Sequence, residues 1–223
     1  MKELIEKENW IFEILQKFID GNLEFIVVGG YAVSAFKHRF SVDADLVIKS
    51  EDLSKFENIL IKRGFTKTII KELENIYSSK FIRYEKEQAS VDLLIDALAS
   101  RSSNASFSYK LLFDNSIKKE IIGIEKKVFV RIPIKELLIV MKIHSGRLTD
   151  FRDIAALSKG TNLDLIKKHL FIGNLKIVGE NLLKLNKAVN DKNFIDSFKG
   201  VFIEKKFDID LVQVKKISEL KKY

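Results

Sequence analysis

One short stretch limits what this chain can fold into more than any other. Phe25-Ile26-Val27-Val28 is a continuous apolar run that stops at Gly29-Gly30, and after twelve intervening residues comes Asp43-Ala44-Asp45-Leu46-Val47-Ile48. A brief apolar run bounded by turn residues fits a buried strand. Side chains alternate along a strand, so over a second strand, Val42 to Ile48, Asp43 and Asp45 project from one face and Val42, Ala44 and Leu46 from the other. The apolar face suits a core. The acidic face sets two carboxylates ~6.5 Å apart, which repel each other if left unpaired and gain a raised pKa if buried. A divalent cation removes that penalty, and hard oxygen ligands suit Mg²⁺ or Mn²⁺.

A third acid is available. Ser90-Val91-Asp92-Leu93-Leu94-Ile95 is a strand pattern with one acid among apolar residues. If that strand pairs beside the first, Asp92 lies ~5 Å across from the acidic pair, an arrangement that matches a two-metal site bridging an attacking and a leaving oxygen. Asp96 is the rival for this place, but it falls at the strand's end. The plainer reading of the same acids is a solvated strand face. Gly29-Gly30, between strand and helix, lets the backbone approach an anion, and helix amides there would cradle a triphosphate; the plainer reading is a tight turn. Neither G-x-x-x-x-G-K-[ST] nor G-x-G-x-x-G occurs, so no P-loop enzyme or dinucleotide binder is indicated.

Several classes are excluded. The chain has no cysteine, which removes disulfide scaffolds, thiolate zinc sites and cysteine nucleophiles and suits a reducing compartment. His38, His144 and His169 are too far apart for an HExxH-type zinc pair. The longest uncharged run, Phe25 to Phe36, has 12 residues, short of the ~20 that span a bilayer. The opening MKELIEKENW mixes acids and bases and lacks a signal peptide's apolar core. The expectation is a cytoplasmic protein with no membrane partner.

The 223 residues carry 39 Lys and Arg against 31 Asp and Glu, a formal charge of +8. Residues 161–223 hold 13 lysines and eight acids, so the last third would attract a polyanion such as RNA, or lipid head groups; solvated helix faces explain it equally well. Helices are expected at 3–20, 31–38, 52–63, from Ile134 (on the spacing of Leu137, Leu138 and Met141), 150–158, 162–170, 174–189 and 208–221. Further strands are expected at 66–70, 80–84, 89–95, 120–124 and 127–132. With a single proline, Pro133, and no Gly/Ser-rich linker, the fold class expected is α+β: a mixed β-sheet flanked by helices over 1–132, then a helical region over 133–223.

Arg39-Phe40-Ser41-Val42-Asp43-Ala44-Asp45, after the glycine pair and before the acid of a later strand, resembles the nucleotidyltransferase superfamily related to DNA polymerase β. More narrowly, the glycine pair, this R-x-[ST]-x-D-x-D segment and the later Lys142 followed by Arg147-Leu148-Thr149-Asp150-Phe151-Arg152-Asp153 resemble the AbiEii/AbiGii toxin-type branch. The resemblance covers roughly residues 20–160. One departure is Gly30, where the superfamily often has serine.

The resemblance implies a nucleotidyltransferase-type sheet and a metal-dependent enzyme that moves a nucleoside monophosphate from an NTP to an acceptor hydroxyl. Asp43, Asp45 and Asp92 would hold Mg²⁺ or Mn²⁺, with Asp92 also promoting deprotonation of the acceptor. Gly29, Gly30 and Ser41 would position phosphates, and Arg39 and Lys142 would offset charge on the leaving pyrophosphate. It further implies a tRNA end or a protein hydroxyl as acceptor and an antitoxin-type protein partner. Lys142 by itself suits either a phosphate-directed charge or a stem over apolar surface with its ammonium in water. Asp150 and Asp153 fit the N-cap and N3 positions of a helix, and Asp153 would also fix Lys142 or Arg147 through an ion pair. His144 is expected on a helix surface; His169 and Trp10 look structural. The alternatives are a non-catalytic nucleotide- or RNA-binding member of the fold and a small-molecule nucleotidyltransferase of the aminoglycoside-modifying kind.

Overall fold

The structure is a computed structural model that describes residues 2–39, 41, 43–72, 80–87, 89–199, 201–202 and 208–220. Val42, Phe40 and the end of the helix expected at 208–221 lie outside the described residues. The chain forms two compact units: Met1–Leu98 with Phe107–Pro133, and Ala99–Ser106 with Ile134–Tyr223.

The first unit opens with α1 (Lys2–Asp20), β1 (Ile26–Val28), α2 (Gly29–Ser34), β2 (Asp43–Ile48) and α3 (Leu53–Lys62). It continues with β3 (Thr66–Glu72), β4 (Lys80–Lys86) and β5 (Ala89–Ile95). Strands β6 (Ala97–Ser100) and β7 (Ala105–Ser108) follow at the two ends of the Ala99–Ser106 segment, which belongs to the second unit, and the first unit resumes with α4 (Tyr109–Asp114), β8 (Ser116–Ile122) and β9 (Lys127–Pro133). Five strands form one mixed sheet in the order β1-β2-β5-β4-β3. The β2/β5 pair is parallel and the other three pairs are antiparallel. The apolar faces of β2 and β5 lie under the helices: Phe18 of α1, Phe25 before β1 and Phe56 of α3 meet edge-on, with centroids 4.7–6.2 Å apart. Ala44, Leu46, Val91 and Leu93 are fully buried.

The second unit is helical: α5 (Lys135–Ser145), α6 (Leu148–Leu157), α7 (Leu163–Leu170), α8 (Leu175–Val189) and α9 (Leu211–Ser218). Helix α5 is buried from Leu137 through His144, and α6, α7 and α8 pack around it. Among the described residues no helix is long and apolar enough to cross a membrane.

The α+β arrangement expected from periodicity is the one that forms, with boundary corrections. Helix α2 starts at Gly29 rather than Tyr31 and ends at Ser34, because Gly29, at φ 64°, turns the chain straight out of β1 without a loop. Strand β8 begins at Ser116, not Glu120, since it pairs with β9 over its whole length, from Ser116 opposite Pro133 to Ile122 opposite Lys127. Ile124 falls in the connection. The pieces β6, β7 and α4 were not expected; at four to six residues they carry too little periodicity to register. His144 is not a surface residue but fully buried.

Candidate active site

Strand register decides which side chains share a face. Across four neighbouring strands, Val28, Asp45, Asp92 and Arg83 are successive Cα partners. Two residues along, Asp43 lies opposite Ser90, and Ser90 opposite Glu85. Strands in a sheet are ~4.8 Å apart and residues two apart share a face, so the three predicted acids are gathered on one face of the first unit, together with Ser90, Arg83 and Glu85.

Their pairing is specific. Arg83 grips Asp92 with two parallel hydrogen bonds, Nε to Oδ1 and Nη2 to Oδ2, both 2.7 Å. The same Nη2 lies 4.0 Å from Oδ2 of Asp43. Ser90 Oγ donates to Oδ1 of Asp43. Asp92 is 3% exposed, and burial raises its pKa above the ordinary carboxylate value; Arg83 opposes that rise without cancelling it, while Asp43 and Glu85 add to it. The hydrogen bonds to Asp92 raise the pKa of Arg83 further, so the guanidinium stays charged.

The glycine pair abuts this face. A β-carbon on Gly29 would collide with Oδ2 of Asp45, and one on Gly30 with Oγ of Ser41 and, at 3.5 Å, would meet Nη2 of Arg39. Ser41 is tied in place by the Tyr31 hydroxyl, which donates to its carbonyl at 2.9 Å, and by its own Oγ, which donates to the Asp43 carbonyl at 3.3 Å. The close approach expected at the glycines is therefore made by the chain's own Asp45 and Ser41. Asp96 plays a different part. It sits at φ 62° just beyond β5, its amide donates to the Ile48 carbonyl and its Oδ1 accepts the Ser50 amide at 2.8 Å, so it closes a turn rather than joining the acidic face.

Lys142 and Asp153 meet in the second unit. The Lys142 ammonium, on a residue 8% exposed, lies 3.0 Å from Asp150 Oδ1 and 2.8 Å from Asp153 Oδ2. Arg147 adds hydrogen bonds from Nε (2.8 Å), Nη2 (3.2 Å) and its backbone amide (3.1 Å) to Asp150. Burial by itself would raise Asp150, but the Arg147 hydrogen bonds and the charges of Lys142 and Arg147 hold it below the ordinary carboxylate value. Arg147 is the N-cap of α6 and Asp150 its N3 residue, so both acids lie three residues further into the helix than the N-cap and N3 places expected of Asp150 and Asp153. The Lys142 ammonium is enclosed by carboxylates rather than carried to water.

The donor set can be tested for a metal ion. Asp43, whose side chain is 42% exposed, and Asp45 share one strand face and fit one hard divalent ion, because Mg²⁺ takes one or two carboxylates and completes its shell with other oxygen ligands. Asp92 does not fit as a ligand in this arrangement, since both its oxygens are engaged by Arg83. Among the described residues no three acids or histidines are grouped to hold an ion. Arg83, Ser90 and Glu85 were missed from the sequence. A signal was present for Arg83: it stands between Ile82 and Tyr84, both buried, as Asp92 stands between Val91 and Leu93, which turns both to the opposite face.

No family model matches the chain, and no curated protein is similar to it in sequence. Solved structures are similar in fold. The antibiotic-resistance factor ANT(2'')-Ia is 16% identical, with 73% of this chain and 88% of that one covered at a TM-score of 0.51. JHP933 from Helicobacter pylori is 15% identical, with 98% and 91% covered at 0.50. The lincosamide antibiotic adenylyltransferase LnuA, lincomycin-bound, is 18% identical, with 69% and 98% covered at 0.46. The chain thus shares with ANT(2'')-Ia and JHP933 a fold in which a mixed sheet is flanked by helices.

Proposed function

We propose that this chain is a nucleotidyltransferase that moves a nucleoside monophosphate from an NTP to an acceptor hydroxyl and releases pyrophosphate. The observation that carries the reading is the register Asp45–Asp92–Arg83, with Asp43 on the same face and Gly29 packed on Asp45. In this reading the acceptor oxygen forms a bond to the α-phosphorus as the bond to the pyrophosphate oxygen breaks. Asp43 and Asp45 would hold Mg²⁺ or Mn²⁺, which supplies positive charge against the phosphates and acidifies a nearby hydroxyl. Asp92, whose pKa burial raises, accepts the acceptor's proton. Gly29, Gly30 and Ser41 shape the backbone beside the phosphates, and Arg39 offsets charge on the departing pyrophosphate. Lys142 with Asp153 would act in the second unit, where a phosphate would have to draw the ammonium from its two carboxylates.

The acceptor follows from weaker support. The Arg39-to-Asp45 and Lys142-to-Asp153 patterns of the toxin-type branch support a tRNA end or protein hydroxyl, with an antitoxin-type partner, and the lysine-rich last third favours RNA. A small-molecule acceptor is the second reading, favoured by the fold shared with an antibiotic-resistance factor.

The test is incubation with Mg²⁺, each α-³²P-labelled NTP and pooled tRNA, protein extract or aminoglycosides, repeated with Asp43→Ala/Asp45→Ala. Label transferred to tRNA and lost in the double variant supports the proposal with RNA as acceptor. Label confined to protein or aminoglycoside reassigns the acceptor. RNA binding at low salt with no transfer to any acceptor refutes catalysis and leaves a binding module of the same fold.

A further inference from the structure

We propose that Arg83 is the built-in counter-charge of the third carboxylate, Asp92, so that this chain binds one divalent ion, at Asp43 and Asp45, and none at Asp92. The inference rests on the nucleotidyl-transfer reading and specifies the charge arrangement of that site.

Three observations carry it. The guanidinium engages both Asp92 oxygens at 2.7 Å, the fork geometry in which a carboxylate has little capacity left for a hard cation. Arg83 is the direct cross-strand partner of Asp92, and its guanidinium carbon lies 5.8 Å from the Phe81 ring centroid, so the pair is set by strand register rather than by a mobile loop. The same Nη2 is 4.0 Å from Asp43, so the guanidinium stands between the inner and the outer acid of the face. An ion bridging Asp92 would meet that fixed positive charge at contact range. Displacing it would strand a guanidinium beside a carboxylate that is 3% exposed. Arg83 is therefore a positioning residue: it holds both oxygens of Asp92 in a fixed fork set by the strand register.

The experiment counts Mn²⁺ bound to the full chain by electron paramagnetic resonance, with a saturating non-hydrolysable NTP analogue and the same analogue without protein as reference. The wild-type chain should bind one ion. Asp92→Asn should still bind one, with affinity changed by no more than about threefold, because Asp92 is not a ligand. Arg83→Gln should bind a second ion, or the first at least about tenfold more tightly, as the Asp92 carboxylate, released from its guanidinium, gains a cation, whereas Arg83→Lys should stay at one. Two ions on the wild-type chain, or loss of the ion in Asp92→Asn, overturns the inference and leaves nucleotidyl transfer standing. No ion on the wild-type chain overturns the metal-dependent reading itself. Should Arg83→Gln fail to fold, the wild-type and Asp92→Asn counts decide the matter.

Discussion

The carboxylate of Asp45 lies against the backbone of Gly29, at the spot where any other residue would carry its β-carbon. Gly29 also has φ 64°, a conformation that L side chains rarely adopt. Gly29→Ala must therefore both strain the turn and push Asp45 off its row. The expected outcome is loss of nucleotidyl transfer, with a stability loss of about 1–3 kcal/mol by urea unfolding. Gly179, inside α8 with nothing within 4 Å of its would-be β-carbon, is the control: Gly179→Ala should stabilise by about 0.5–1 kcal/mol and leave transfer unchanged. Equal losses in both variants would refute the account of Gly29.

Asp92 and Asp96 are separable by a conservative change. An asparagine tolerates the left-handed conformation of Asp96 and keeps an oxygen for the Ser50 amide. Asp96→Asn should retain wild-type transfer, whereas Asp92→Asn, which leaves no carboxylate to take the acceptor's proton, should reduce kcat by about 10²-fold or more. Reversed effects would move the third acid of the site to Asp96.

Lys142 is a stability residue whatever else it does. Its removal leaves Asp150 and Asp153 buried without their shared cation. Lys142→Ala should cost about 3–5 kcal/mol, and adding Asp153→Asn should recover part of that loss by removing one stranded charge. No recovery in the double variant would show that the lysine stem, not its charge, carries the effect. Asp150 has a folded pKa below its ordinary 3.8, so its contribution is complete above about pH 4 and fades only as pH falls through that lower folded value.

His144 sets a separate window. Its Nε2–H donates to the Leu170 carbonyl at 3.0 Å, which leaves Nδ1 to accept from Ser103 Oγ at 2.8 Å, so the buried ring is neutral. Burial lowers its pKa from 6.5 to about 4. The unfolded chain therefore takes up this proton first as pH falls, and stability is whole above pH 6.5 and declines toward pH 4, by up to about 3 kcal/mol. His169, lowered in the same direction, adds to the decline. Urea midpoints measured from pH 7.5 to 4 should fall less in His144→Gln than in the wild-type chain. Parallel profiles would exclude His144 as the cause.

What the sequence determined by itself was local. Alternation places Asp43 and Asp45 on one side of β2 and Ala44 and Leu46 on the other, and places Asp92 opposite Val91 and Leu93, because pleating is a property of a few consecutive residues. Long helices such as α1 and α8 were legible for the same reason. Short elements were not, and neither were partners. That Arg83 holds Asp92 depends on β4 lying beside β5, and that Lys142 is walled in by Asp150 and Asp153 depends on how α6 turns back along α5. Those choices follow from which apolar faces bury against each other across tens of residues. A one-dimensional pattern names the charged groups, but only packing in three dimensions decides which charge each of them meets.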